Sequence, residues 1–241
     1  MRGIILSGGS ATRLRPCTKV TSKQLLPVYN RPMIYYPLNT LIKAGIREIL
    51  IIVSPERSGD YLNLLGSGKD FGVKFTYEIQ DQPRGLAEAF IIGENFIDQE
   101  NVVMILGDNI FEDDFSQEIQ NFKSGGKVFA KKVPDPERFG VVKFNENQRA
   151  EKIVEKPKQW LSDYAITGLY IYDGRVVEIA KQLKPSERGE LEIVDLHNWY
   201  LEKGELEVAE VLGEWIDAGT FDSLLQAQIL AKEKLQDKLV I

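Results

Sequence analysis

The stretch GGSATRLRP (8–16) follows the apolar run MRGIIL (1–6), and its residue types are those that hold phosphate. Gly8 and Gly9 let backbone N–H groups approach anionic oxygens, Ser10 and Thr12 add hydroxyls, and Arg13 and Lys23 supply charge. A triphosphate suits that equipment, although the glycine pair alone would also fit a flexible turn with solvated arginines. The loop lacks the G-x-G-x-x-G of a dinucleotide fold, so a nicotinamide-dependent oxidoreductase is the weakest candidate. It also lacks the G-K-[ST] ending of a P-loop, and continues through PCTKVTSKQLLPV (16–28) before the next helix.

Two carboxylates distant in the sequence could meet over one cation. VVMILGDN (102–109) ends an apolar strand on Gly107 and Asp108, and GEWIDAGT (213–220) offers Asp217 at a strand-to-helix junction. Each could simply be a turn or helix-start residue. Together they would suit Mg²⁺, which takes one or two carboxylates plus phosphate oxygens. Glu155-Lys156 before Pro157, and Arg188 near Glu190 and Glu192, pair cations with carboxylates; exposed ion pairs of this kind are ordinary and contribute little. The one histidine, His197, lies in the helical pattern LEIVDLHNWY (191–200), where packing or a hydrogen bond is its expected role. Cys17 has no evident base partner and is expected to be an ordinary loop thiol.

These residues need a frame to position them. Apolar β-rich runs at Gly3–Leu6, Ile49–Val53, Val73–Ile79 and Val102–Leu106 alternate with helical patterns at about Ile34–Ala44, Tyr61–Leu65 and Leu86–Phe96. The alternation predicts right-handed crossovers and a parallel, covered sheet whose ligands gather at the carboxyl ends of its strands. From about Lys127 closer-set strands follow at Val128–Lys131, Gly140–Phe144, Ala150–Glu155 and Tyr164–Tyr172, read as antiparallel additions to the same sheet. Helices are predicted at Arg175–Leu183, Leu191–Leu201 and Thr220–Leu235, the last with Thr220 as N-cap. The expectation is one α/β domain over 1–241, Rossmann-like, with a mixed, mostly parallel sheet and helices on both faces. About 1–126 would bind nucleotide and about 127–241 sugar phosphate.

Composition sets outer limits. The chain has 241 residues, 43% hydrophobic, enough for a large single core. A formal net charge of −6 and a pI near 5.1 argue against nucleic-acid binding. A single cysteine rules out an internal disulfide and suits a reducing compartment, and the apolar runs are strand-sized, so a cytoplasmic protein off the membrane is expected.

The sequence resembles the sugar-1-phosphate nucleotidyltransferases, most closely the glucose-1-phosphate thymidylyltransferases. The resemblance covers nearly the whole chain. That family opens with a G-G-x-G-T-R-L-x-P loop and a Lys-Gln-Leu-Leu-Pro segment; here these are GGSATRLRP and KQLLPV (23–28). PMIYYPL (32–38), AGIREILII (44–52), LGDNIF (106–111), DPERFGVV (135–142), EKP (155–157), TGLYIYD (167–173), RGELEI (188–193) and WIDAGT (215–220) extend the match. One departure is Ala11 where the family usually has glycine, which would crowd the loop if that position needs a positive φ.

The resemblance implies Mg²⁺-dependent in-line transfer of a nucleotidyl group from dTTP to glucose 1-phosphate, giving dTDP-glucose and pyrophosphate. It implies that Arg13, Lys23, Asp108, Lys156, Arg188 and Asp217 are catalytic, and that Asp108 and Asp217 hold the metal. The nucleotide would meet Leu6, Gly8, Gly9, Ser10 and Thr12, with Gln24, Gln80, Pro83 and Gly85 at the base and Asn109 beside the metal. The sugar phosphate would meet Gly140, Glu155, Ile166, backbone around Thr167, Tyr170 and Trp215, together with Lys156 and Arg188. Uracil and thymine present the same edge, so UTP is expected to be accepted too, and a UTP or other hexose 1-phosphate specificity shares every motif. A non-catalytic nucleotide-sugar sensor is a further alternative. The resemblance also implies a homo-oligomer. Longer relatives continue with regulatory helices after the one starting at Thr220, so dTDP-rhamnose is expected to inhibit weakly or only competitively.

Overall fold

Apolar side chains on consecutive positions of the early strands leave both faces of a sheet in need of cover. In the computed structural model, which describes residues 1–9 and 11–239, β1 (Arg2–Ser7) runs parallel to β4 (Glu48–Val53) on one side and to β6 (Val102–Leu106) on the other, and β4 runs parallel to β5 (Lys74–Ile79). Alternation divides the side chains: Ile4, Leu6, Leu50, Ile52 and Met104 face one core, and Ile5, Ile49, Ile51, Val103 and Ile105 the other. The second core is closed by α1 (Tyr35–Lys43), α2 (Ser58–Leu65) and α5 (Ser116–Asn121). The first is closed by α3 (Glu88–Ile92), α6 (Val176–Gln182) and α7 (Ile193–Glu202).

The later strands join the same sheet. β11 (Tyr164–Tyr172) lies antiparallel to β6 and to β8 (Gly126–Lys132), and β9 (Gly140–Phe144) pairs antiparallel with β10 (Ala150–Glu155) and touches β11 at Ala165. The β11–β8 ladder shifts register between Ile166 and Tyr170, leaving Thr167 and Gly168 bulged toward the carboxyl ends of the parallel strands. Not all additions are antiparallel as expected: β12 (Leu206–Glu210), unread in the sequence, runs parallel to β8, because α7 carries the chain back before it pairs.

Other boundaries moved for local reasons. The pattern over Leu86–Phe96 breaks at Gly93 into α3 and α4 (Glu94–Ile97), where a Cβ would lie 3.0 Å from Leu50 and 3.4 Å from Ile4. Helix α7 starts at Ile193 because Leu191 is held extended: its N–H donates to Arg84 O (2.7 Å) and its carbonyl accepts from Ala87 N (3.2 Å). Helix α8 (Phe221–Leu230) stops short of Leu235, with a π-turn over Ala231–Leu235. Thr220 is its N-cap, in a reciprocal capping box with Ser223. Helix α8 packs on a short hairpin, β2 (Pro27–Val28) and β3 (Arg31–Pro32), and on the antiparallel pair β7 (Asn109–Phe111) and β13 (Trp215–Asp217). No helix is long and apolar enough to cross a membrane among the described residues.

Candidate functional site

At the carboxyl end of β1 the chain turns through the glycine pair into a 3₁₀ turn, Thr12–Leu14, anchored by buried Leu14. Ala11 adopts φ +45°, the left-handed region that favours glycine, and its carbonyl accepts from the Thr18 hydroxyl (2.8 Å). A later 3₁₀ turn, Lys23–Leu25, brings the Lys23 ammonium onto the Asp108 carboxylate.

Asp108 leaves the end of β6, and Asp217 ends β13. In the β13–β7 ladder Asp217 stands opposite Asn109, and Ala218 N–H donates to Asp108 O at 2.9 Å, so the two acids are neighbours although far apart in sequence. Asn109 fixes the arrangement: its amide NH₂ reaches the Asp108 carboxylate (3.3 Å), while its oxygen accepts from Trp215 Nε1 (2.7 Å) and Gly168 N (2.9 Å). Burial pushes the Asp108 pKa up, but Lys23 and the Asn109 amide outweigh it and hold the carboxyl below its usual range. Burial pulls Lys23 down, and Asp108 and Asp217 reverse that, raising it. Asp217 is pushed up to about 6, first by burial and then by Asp108, against Lys23, Arg13 and Arg138.

Asp217 Oδ1 is buried with no hydrogen-bond partner, as are Thr167 Oγ1 and His197 Nε2 in the same cleft. Orphaned buried polar atoms are uncommon in native folds, and a cluster around one cavity marks a place built for a polar ligand. The hard, ionisable oxygens of Asp108 and Asp217 fit a magnesium ion. Among the described residues, no group of three or more acidic, histidine or cysteine side chains could hold a metal on its own. A cation at this pair would therefore take further ligands from substrate oxygens, as Mg²⁺ does at phosphates.

The whole cleft, of about 600 Å³, extends beyond this pair. One end has Leu6, Gly8, Gly9, Gln24, Gln80, Pro83 and Gly85 in its walls. At the other, Gly140 from β9 meets Glu155 from the end of β10 and Val194 from α7. Lys156 follows Glu155 in a left-handed conformation (φ +41°), its N–H donating to Phe139 O (2.9 Å) and its ammonium 3.5 Å from Glu155. Arg188 donates to Glu192 (2.8 Å) and Glu155 (3.2 Å). Partial burial disfavours its charge, but Glu192, Glu190 and Glu155 raise its pKa.

Arg13, Lys23, Asp108, Asn109, Glu155, Lys156, Ile166, Tyr170, Arg188, Trp215 and Asp217 thus line one cleft with Leu6, Gly8, Gly9, Gln24, Gln80, Pro83 and Gly85. Thr12 is exposed and does not line it, and Ser10 lies outside the described residues. The cleft also contains residues not singled out from the sequence, Arg138 and Phe139 within DPERFGVV, Gly168 on the bulge, and Ile193 and Val194 on α7, and it contains His197 on the same helix. Phe139 packs on Trp215 with ring centroids 5.1 Å apart. His197 is buried, its Nδ1 sharing a hydrogen bond with Tyr172 OH (2.6 Å), and burial pushes its pKa down to about 3. It is a packed, neutral imidazole, as expected.

The nucleotidyl transferase family profile matches residues 2–234. The chain is 57% identical to the glucose-1-phosphate thymidylyltransferase of Neisseria meningitidis serogroup A, over 94% of this chain and 81% of that protein. It is 51% identical to the enzyme of that name from Mycolicibacterium smegmatis, with the same coverage. Among solved structures, a Bacillus anthracis protein provisionally assigned as a glucose-1-phosphate thymidylyltransferase, in complex with sucrose, superposes with a TM-score of 0.91 at 50% identity, covering 97% of this chain and 96% of that one. A UDP-glucose pyrophosphorylase complexed with UDP-glucose shares the fold, with a TM-score of 0.84 at 24% identity over 97% of this chain and 98% of the other.

Proposed function

Because the chain belongs to the nucleotidyl transferase family and, within it, to the glucose-1-phosphate thymidylyltransferases, we propose that its cleft binds dTTP at the base end and α-D-glucose 1-phosphate at the Arg188 end. The protein is an enzyme that joins these substrates, giving dTDP-glucose and pyrophosphate. A phosphate oxygen of the sugar phosphate attacks the α-phosphorus; the new P–O bond forms as the bond to the β-phosphate oxygen breaks, and pyrophosphate leaves with those electrons. The attacking oxygen is already ionised at neutral pH, so the residues have little proton transfer to perform. Their work is to align two anions and to neutralise charge at the phosphoryl centre.

Arg13 and the backbone N–H groups of Gly8 and Gly9, which line the cleft, face the triphosphate. Lys23 keeps Asp108 ionised and offers its ammonium to the phosphates. Arg188 and Lys156 hold the sugar phosphate, with the guanidinium aimed by Glu192 and Glu155. Glu155, with the Gly140 backbone, Ile166, Tyr170 and Trp215, forms the hexose wall. Asp108 and Asp217 hold Mg²⁺, which when bound draws negative charge from the phosphate oxygens. The meeting of those two acids carries this placement: Asp217 is buried with an unpartnered oxygen, an arrangement that costs stability and gains a purpose only if a cation arrives. In this reading about 1–126 serves the nucleotide and about 127–241 the sugar phosphate within one domain. The reading includes a cytoplasmic location and assembly with copies of itself, which cell fractionation and light scattering test.

Pyrophosphate release from a matrix of nucleoside triphosphates and hexose 1-phosphates with Mg²⁺ tests the assignment. The highest rate is expected for dTTP with glucose 1-phosphate, and a lower one for UTP, because only a methyl contact separates the bases. Binding of dTDP-glucose without pyrophosphate release from any pair would mean a sensor rather than a catalyst.

A further inference from the structure

We propose that Glu88, buried beneath the base end of the cleft, is a positioning residue that makes Gln80 an obligate hydrogen-bond acceptor and so sets the enzyme's preference for imide bases over cytosine. The inference rests on the reading of this cleft as a pyrimidine nucleotide site.

Gln80 follows β5 with its N–H donating to Val53 O (2.9 Å), and its side chain is buried. A carboxamide has two faces of opposite sense, and which one meets a ligand depends on what holds the other. Here the amide nitrogen of Gln80 donates to Glu88 Oε2 at 2.8 Å and, more weakly, to Gly85 O at 3.4 Å. An ionised carboxylate accepts only, so this contact fixes the orientation of the amide. Glu88 is itself held: Arg84 Nε donates to Glu88 Oε1 at 2.8 Å, and the Arg84 guanidinium, from the loop just before α3, stands 2.7 Å from the same oxygen. The guanidinium is largely exposed while the carboxylate is buried, so the ion pair braces Glu88 from the solvent side.

With its NH₂ group occupied, Gln80 turns Oε1 toward the glycine loop. A Cβ placed on Gly8 would lie 2.6 Å from that oxygen, so the loop is pressed against the acceptor. An acceptor there suits the N3–H of thymine or uracil. Cytosine has a lone pair at N3 and would meet oxygen with no proton between. Rotation of the Gln80 amide would remove that penalty by turning NH₂ toward N3, and Glu88 prevents it.

The test compares kcat/KM for dTTP and dCTP, with glucose 1-phosphate, in the wild type and in Glu88→Ala, Glu88→Gln and Arg84→Ala. Loss of the anchor in Glu88→Ala lets the amide rotate, and the dTTP-to-dCTP ratio is expected to fall roughly tenfold or more, through KM with kcat for dTTP little changed. Glu88→Gln leaves one acceptor oxygen where Arg84 and Gln80 each donate, and an amide whose oxygen stays on Arg84 turns its NH₂ toward Gln80, so this variant is expected to lower the ratio as well. Arg84→Ala, on an exposed side chain, lowers the ratio in the same direction by a smaller factor and serves if Glu88→Ala does not fold. An unchanged ratio in folded Glu88→Ala, or in Arg84→Ala where the former does not fold, overturns the proposal. A wild type that turns over no pyrimidine triphosphate would instead overturn the reading of the site, leaving the two failures distinct.

Discussion

Ala11 stands where the family usually has glycine, and its φ of +45° shows that the loop does adopt the left-handed conformation there. An L side chain in that region carries a steric cost that glycine does not, so Ala11→Gly is expected to stabilise the protein by about 0.5–1 kcal/mol, read as a higher denaturation midpoint. His197 gives a second prediction at this scale. Its pKa is about 3 in the folded state against 6.5 for the ordinary side chain, so below pH 6.5 the unfolded chain takes up a proton that the native imidazole refuses. Stability then falls as the pH drops from 6.5 toward 3, by up to about 1.4 kcal/mol per pH unit from this group alone. Denaturation of His197→Asn should show a shallower acid slope than the wild type over pH 7 to 5; equal slopes would mean the histidine is not buried neutral. Charged residues in unusual company, such as Arg13, Lys23, Asp108 and Asp217, were legible in the sequence because their types match a phosphate and a cation. Glu88 and Arg138 were not, since a helix glutamate and a turn arginine acquire meaning only from what tertiary packing sets beside them.

Among the elements, the turn at Gly85 links the two ends of the cleft. Gly85 has φ +103°, and a Cβ there would lie 2.3 Å from Leu191 O, the carbonyl that accepts from Ala87 N. That backbone contact holds Leu191 extended immediately before Glu192 and α7, which carry the Arg188 partner and the Val194 wall. Gly85→Ala must therefore move backbone against backbone, and is expected to cost about 2 kcal/mol or more. Calorimetry should show the loss, and steady-state kinetics should show KM raised for both substrates because both walls shift. The parallel strands and the Thr220 cap were readable because apolar runs and a Thr-Phe-Asp-Ser start are local signals. The pair β7–β13, which brings the two acids together, was not: each strand has three residues, and neither has a pattern that names its distant partner.

Over the whole molecule, one sheet presents the ends of β1 and β6, the bulge of β11 and the end of β10 to a common cleft where the cationic side chains Arg13, Lys23, Lys156 and Arg188 converge. The arrangement sacrifices stability at its centre. Asp217 is buried, its pKa is pushed up to about 6, and one of its oxygens has no partner. Replacing it with asparagine removes a poorly solvated charge and keeps the shape, so function and stability should separate in one variant. The most direct measurement is Mg²⁺-dependent pyrophosphate release from dTTP and glucose 1-phosphate by Asp217→Asn, alongside its denaturation midpoint. Turnover is expected to fall at least a hundredfold or so, with a midpoint equal to or above that of the wild type. Turnover within about threefold of the wild type, in a folded variant, would contradict the shared-cation centre on which the account depends.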